Sequence, residues 1–257
     1  MKEAAGSKMI TIEKLCASLD GFGLKHASKG LADMLGQAEG GSTTPRQFLS
    51  ALLEAETKGR NDKRRHRNYA GAHFPPNVKG LEEFDPAELT SGITMGQINQ
   101  LSELGWLDAF GNLVFAGPPG LGKTMIALGL GVRAIDEGYL VCFEKMENLA
   151  CILDRADVER QAGFRLKNIS KANLLIIDEV GYTPITRNQA NKFFTLVSDM
   201  YERASIIVTT NKEVPEWVEV MGDPVLTTAI LDRLLHHARC YSFKGDSYRL
   251  KYPEVFS

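Results

Sequence analysis

Long hydrophobic runs are missing from this chain. A helix that crosses a bilayer needs about 20 consecutive apolar residues, and no segment of the 257 residues approaches that. The opening Met1-Lys2-Glu3-Ala4-Ala5-Gly6-Ser7-Lys8 also lacks the apolar core of a secretory signal. No membrane partner is therefore expected, and the expected location is cytoplasmic. Cysteine is scarce. Cys16, Cys142, Cys151 and Cys240 are scattered with no C-x-x-C spacing, so neither a disulfide framework nor a zinc site is expected. His236 and His237 are adjacent. On a helix such neighbours diverge by about 100° and make a poor metal pair. Excess charge is missing too: the formal net charge is -2, which argues against a uniformly basic nucleic-acid binder. The hydrophobic fraction of 44% and charged fraction of 24% are those of an ordinary globular protein. The length suits one large domain, or one of about 170 residues with a small companion.

The near-neutral average hides one block. Lys58-Gly59-Arg60-Asn61-Asp62-Lys63-Arg64-Arg65-His66-Arg67 carries six Lys/Arg against one Asp. Such a block fits a phosphate-binding surface and a solvated helix face equally well.

What the chain does have is glycine in one telling place. Residues 117–124 read Gly-Pro-Pro-Gly-Leu-Gly-Lys-Thr, a complete G-x-x-x-x-G-K-T phosphate loop. Glycines let the loop turn tightly and bring backbone N–H groups against phosphate oxygens. Lys123 adds a point charge for the outer phosphates, and the Thr124 hydroxyl suits Mg²⁺. The context agrees: Asn112 to Ala116 is a short apolar strand, and Met125 to Val132 continues as a helix.

Three stretches follow from the patterning. Residues 1–72 read as a helical N-terminal domain. Ile12, Leu15, Leu19 and Phe22 recur at helical spacing until Gly21 and Gly23. Leu31, Met34 and Leu35 suggest a second short helix. Thr44 before Pro45 starts another, whose stripe of Phe48, Leu49, Leu52 and Leu53 runs into the basic block. Residues 73–92, broken by Phe74-Pro75-Pro76 and Asp85-Pro86, read as a connector. From 93 to 257 the pattern is α/β. Strands are expected over 139–143, 173–179, 205–211 and 240–243, and helices over 97–104, 147–156, 188–203 and 226–238. Near-continuous apolar strands alternating with helices predict a parallel sheet covered by helices.

The strand Leu174 to Glu179 ends in two carboxylates. In an open α/β sheet ligands bind at the C-terminal ends of the strands. Asp178 is thus placed to hold Mg²⁺ alongside Thr124, and Glu179 to polarise an attacking water. Asn211 ends the next strand, in Val208-Thr209-Thr210-Asn211, where its amide could bridge that water and a γ-phosphate. A turn-forming Asn at a strand end is the plain alternative. Arg233, in Ala229-Ile230-Leu231-Asp232-Arg233, is expected to project outward from a helix whose other face is buried. In an oligomer it could reach a neighbour's nucleotide. Arg249 could contact phosphate within its own subunit. For both arginines a surface salt bridge explains the residue as well.

Taken together, Gly117 to Thr124, Leu174 to Asp178, Thr209-Thr210-Asn211 and Gly222 to Leu234 resemble the IstB family. These are AAA+ ATPase helpers of insertion-sequence transposition, similar to helicase loaders of the DnaC/DnaI kind. The resemblance covers most of residues 74–257. It implies an AAA+ P-loop NTPase core with little or no C-terminal lid, preceded by a small helical N-terminal domain. It implies ATP and Mg²⁺ as cofactors, with Gly117, Pro118, Pro119, Gly120, Leu121, Gly122, Lys123, Thr124, Met125 and Arg249 against ATP. Lys123, Glu179, Asn211 and an arginine finger, Arg233, would be the catalytic set. The implied partners are double-stranded DNA, a transposase and further copies of the chain. Arg60, Lys63, Arg64, Arg65 and Arg67 would touch DNA phosphates. A replicative helicase loader is the alternative reading.

Overall fold

The computed structural model describes residues 10–41, 43–83 and 92–245. The chain divides into two units, Met1–His66 and Arg67–Ser257.

The first unit is helical. Helix α1 spans Ile12–Gly21 and α2 spans Lys25–Glu39. Gly23, at φ +77°, closes α1. Its N–H bonds Asp20 O while Leu24 N–H bonds Leu19 O, the paired bonds of a Schellman turn. Helix α3, Pro45–Ala72, begins as the sequence predicts. Thr44 Oγ1 accepts from Gln47 N, the Gln47 side chain accepts from Thr44 N, and Pro45 takes the first helical position. The start of α2 has no cap of its own, because Leu24 offers no side-chain oxygen. Glu56 of α3 supplies one. Its buried carboxylate accepts from His26 N and Ala27 N at 2.8 and 2.9 Å. These bonds and Arg60 hold Glu56 down at a pKa of about 2, with the Ala27 N–H the largest cause.

The second unit opens with the end of α3, then runs α4 (Met95–Ser102), α5 (Gly105–Asp108), β1 (Asn112–Ala116), α6 (Lys123–Asp136), β2 (Val141–Lys145), α7 (Met146–Arg155), α8 (Arg160–Ile169), β3 (Leu174–Val180), α9 (Arg187–Met200), β4 (Ser205–Thr210), α10 (Trp217–Met221), α11 (Pro224–Leu235) and β5 (Ala238–Ser242). Every pairing is parallel, in the order β2-β3-β4-β1-β5. Two apolar clusters cover the sheet. One is built on Leu113, Phe115 and Ile207, the other on Leu175, Ile177 and Val208. Alternate strand residues thus face opposite layers, and both layers are buried, as continuous apolar strands require. The architecture is the parallel sheet covered by helices that the sequence predicts. Phe74, Val78 and Leu81 pack against the first cluster, so this part of the connector is core material.

Helix α8 is absent from the sequence reading for a physical reason. Its buried positions are Ala162, Arg165 and Ile169, and an arginine inside a helix stripe hides the apolar period. Arg165 is 7% exposed. Its guanidinium bonds Glu144 Oε1 at 2.6 Å and the carbonyls of Gly71, Ala72 and Phe143. Gly71 and Ala72 are the last residues of α3, whose terminal carbonyls have no partner within the helix. Arg165 therefore caps α3 while Glu144 neutralises it.

Helix α11 is shorter than the pattern suggests, ending at Leu235 rather than Ala238. His236 and His237 form the turn into β5, and their rings lie 4.1 Å apart. The expected helical divergence of this pair is therefore overturned. Asn112, buried at the head of β1, fixes the turn: its Nδ2 donates to Leu234 O, and its Oδ1 accepts from Ile206 N. The described cysteines are free. Among the described residues no helix is long and apolar enough to cross a membrane.

Candidate active site

The loop between β1 and α6 is shaped by its own glycines. Gly117 sits at φ +140°, and a Cβ there would fall 2.3 Å from Phe243 O. Gly122, at φ +84°, precedes α6 and leaves open space where a side chain would stand. The loop thus leads straight into the N-terminus of α6, whose dipole and first-turn N–H groups make an anion site by geometry. Lys123, only 8% exposed, turns its Nζ onto Gly117 O and Pro118 O at 2.7 and 2.6 Å. Those carbonyls hold the ammonium at the mouth of the loop.

Strand β3 presents its two carboxylates differently, and a bulge is the cause. Ile177 pairs with Val208 and Val180 with Thr210, so Asp178 and Glu179 together face the single residue Thr209. Asp178 points inward and is 3% exposed. Its Oδ1 accepts from Thr124 Oγ1 at 2.7 Å and also from Thr209 Oγ1. Glu179 adopts φ +61°, which non-glycine residues rarely do, and turns out to solvent. Its N–H donates to Thr209 Oγ1 at 3.1 Å. One hydroxyl therefore serves both halves of the bulge. Glu179 Oε2 meets Lys145 Nζ, at the end of β2, at 2.9 Å. That bond is the main reason the Lys145 pKa is raised, with the charges of Glu179, Asp178 and Glu147 adding to it.

A cavity of about 380 Å³ opens over these groups. The loop from Pro119 to Met125 lines it, with Glu179, Thr209, Thr210 and Asn211 opposite. β4 does lie beside β3, which brings Asn211 to the rim. Lys79 and Tyr182 also line the cavity. Neither is singled out by the sequence, because a lone Lys in a Pro-broken connector and a lone Tyr after a strand carry no periodic signal. Thr209 is the third omission; its signal is the paired Thr209-Thr210 at the end of an apolar strand. A shallow depression along α3, lined by Leu53 and by polar side chains such as Glu54, Thr57, Lys58 and Asn61, is an open helix surface.

The remaining expected residues divide. Arg233 does not project outward. Its guanidinium lies 4.6 Å over the Phe194 ring, and its Nη1 bonds Ala229 O, one turn back on the same helix. Cation–π attraction and that carbonyl hold it against its own subunit. Arg249 lies outside the described residues, as do the residues after Gly245 on which the expectation of a missing lid rests. On α3, Arg60, Lys63, Arg64 and Arg67 fall at i, i+3, i+4 and i+7 and share a face, while Arg65 turns away from it. Arg60 is already engaged, bonding Glu56 at 2.6 Å and Gly23 O at 3.0 Å. Lys63, Arg64, Arg65 and Arg67 are exposed.

The donor set beside the loop suits a hard cation. Thr124 and Asp178 bring a hydroxyl and a carboxylate within hydrogen-bond distance at the mouth of the anion site, and Mg²⁺ favours oxygen donors together with substrate phosphates.

Comparisons with known proteins speak to the family and the fold. An insertion sequence IS21 protein of Pseudomonas aeruginosa, named for ATP binding, is 40% identical over 228 residues, covering 89% of this chain and 85% of the relative. Among solved structures, DnaI aligns with a TM-score of 0.56 at 16% identity, covering 67% of this chain and 95% of that one. The DnaC helicase loader aligns at 0.52 and 18%, covering 66% and 98%. At such identities these two likenesses speak for the fold. A family model described as IstB-like ATP binding protein matches residues 17–254. The chain belongs to the IstB-like ATP binding protein family.

Proposed function

We propose that this chain is a Mg²⁺-dependent ATPase that regulates DNA transposition, assembling on double-stranded DNA and recruiting a partner transposase. The observation that carries the ATPase reading is the β3 bulge. It sends Asp178 inward to Thr124 at 2.7 Å and Glu179 outward into the loop's cavity. A metal-holding acid and a water-directing acid would thereby point different ways from adjacent positions. The insertion-sequence context of relatives at 40% identity supports the transposition reading.

ATP phosphates would lie along residues 117–124, at the N-terminus of α6. Lys123 would exchange its two loop carbonyls for phosphate oxygens. Thr124 and Asp178 would hold Mg²⁺, which supplies charge neutralisation across the outer phosphates. Glu179, once clear of Lys145, would orient the attacking water, and Asn211 would hold that water toward the γ-phosphate. Arg233 would leave Phe194 and enter the pocket of a second copy. Lys63, Arg64, Arg65 and Arg67 would meet DNA phosphates, with Arg60 bracing the helix.

Turnover in two variants tests the site. Lys123→Ala is expected to lose nucleotide binding, and Glu179→Gln to keep binding but stop hydrolysis. Wild-type turnover in both sinks the assignment. A pull-down then tests the partner: recovery of a transposase supports the proposal, and recovery of a replicative helicase in its place reassigns the chain as a loader.

A further inference from the structure

We propose that Glu202, His236 and His237 form a binding site for a borderline divalent cation of the Zn²⁺ class, at the edge of the sheet opposite the nucleotide cavity. Glu202 lies in the turn between α9 and β4, and the two histidines lie in the turn between α11 and β5. Both turns are at the N-terminal ends of their strands, and those strands flank β1. One ligand atom from each residue can be chosen so that all lie within 4.8 Å of one another, and all three residues are exposed. His237 Nε2 stands 3.8 Å from Glu202 Oε1.

Three observations make this more than a chance surface cluster. The turn that follows α11 brings the two imidazole rings to 4.1 Å. Tyr201 OH bonds His236 Nδ1 at 2.8 Å, orienting one imidazole by a second-sphere contact, as metal-binding histidines are commonly oriented. Glu202 itself is held at φ +53°, a left-handed conformation that is costly for a residue other than Gly, Asn or Asp. That conformation is what the turn uses while the carboxylate stands beside His237.

The donor set names the cation. Two imidazole nitrogens and one carboxylate oxygen suit Zn²⁺ and its neighbours Co²⁺ and Ni²⁺, whereas Mg²⁺ and Ca²⁺ favour oxygen alone. Tetrahedral ligands at about 2.0–2.1 Å from zinc lie roughly 3.3 Å apart. Rotation of exposed side chains closes the difference, and a water completes the fourth position. Such an ion would fasten the turn before β4 to the turn before β5. His237 shares a narrow crevice with Arg233, so the ion would also brace the end of α11 that carries this arginine.

Co²⁺ and Zn²⁺ titrations of the chelator-treated full chain, without nucleotide, test the proposal. One equivalent should bind, with the intense visible absorption of tetrahedral Co²⁺, and Zn²⁺ should displace it. Glu202→Gln, His236→Ala and His237→Ala should each loosen Zn²⁺ by about tenfold or more, in protein shown folded by circular dichroism. Cys151→Ser and Cys240→Ser remove the exposed thiols and should leave binding unchanged. Absence of Co²⁺ absorption overturns the site, as does binding that survives the histidine changes or vanishes with the cysteines. Should the histidine variants prove unstable, Glu202→Gln alone decides: unaltered zinc affinity there also overturns it.

Discussion

Thr209 holds together two carboxylates that point different ways. Its hydroxyl donates to Asp178 and accepts from the Glu179 N–H across the bulge. Thr209→Val keeps the shape and removes both bonds. A partly buried N–H left without a partner costs about 1–3 kcal/mol. If that cost falls on the reactive geometry, turnover drops roughly ten- to hundredfold, while Thr209→Ser retains it. Steady-state ATPase measurements on the two variants check this, and equal rates would remove Thr209 from the site. Lys145 makes the opposite case. Its pair with Glu179 has both side chains more than half exposed, at 55% and 52%. Such a pair contributes at most about 1 kcal/mol, so Lys145→Ala should leave thermal stability nearly unchanged. The same substitution frees the Glu179 carboxylate, and turnover without DNA should rise by a few-fold, up to about fivefold. A fall in turnover would mean that Lys145 positions the acid instead of restraining it. At this scale the phosphate loop, Asp178 and Glu179 are legible in the sequence because spacing alone marks them. Thr209, Lys145, Lys79 and Tyr182 are not, because their significance comes from strand neighbours that only the sheet order brings close.

Helices here are capped from a distance. Glu56 of α3 caps α2, and Arg165 of α8 caps α3. The folded-state pKa of Glu56 is depressed to about 2 from an ordinary 4.5. Its contribution is therefore fully present above pH about 4.5 and is lost as pH falls toward 2. Glu56→Gln should lower the melting temperature at pH 7, and the gap from the unmodified chain should narrow steadily below pH 4.5. A gap independent of pH would contradict the cap. Arg165 and Glu144 are both nearly buried, at 9% and 5% side-chain exposure. Removing one member of such a pair strands the other charge, and here it also strands three carbonyls. Arg165→Met should therefore cost about 3–5 kcal/mol in denaturant unfolding, and replacing Glu144 by Leu in the same chain should recover part of it. Full recovery of stability in the single variant would refute this. These long-range caps explain why element boundaries were only partly readable. Thr44-Pro45 and Gly23 announce the helix ends they make, since their signals are local. Nothing near Leu24 or Ala72 announces a partner many residues away, and α8 hides its stripe behind Arg165.

In the proposed assembly, copies of the chain would meet through Arg233. Subunits carrying Arg233→Ala keep an intact pocket, and those carrying Lys123→Ala keep an intact arginine. Mixing the two should yield more ATPase activity than the sum of the parts, because some interfaces then combine both intact halves. Strictly additive activity would confine Arg233 to its own subunit. DNA affinity offers a second whole-molecule measurement. Alanine at Lys63, Arg64 and Arg67 should flatten the dependence of log affinity on log salt by about 0.9 for each lost phosphate contact. A slope left unchanged would place the DNA surface elsewhere. The clamp made by Asn112 gives such an assembly a direction. This residue begins β1 and grips the carbonyl next to Arg233, while the far end of the same strand, about 13 Å away, launches the glycine loop. If copies assemble as proposed, the arginine offered to a neighbour and the loop that would hold the nucleotide sit at opposite ends of one strand, so the contact would be head-to-tail.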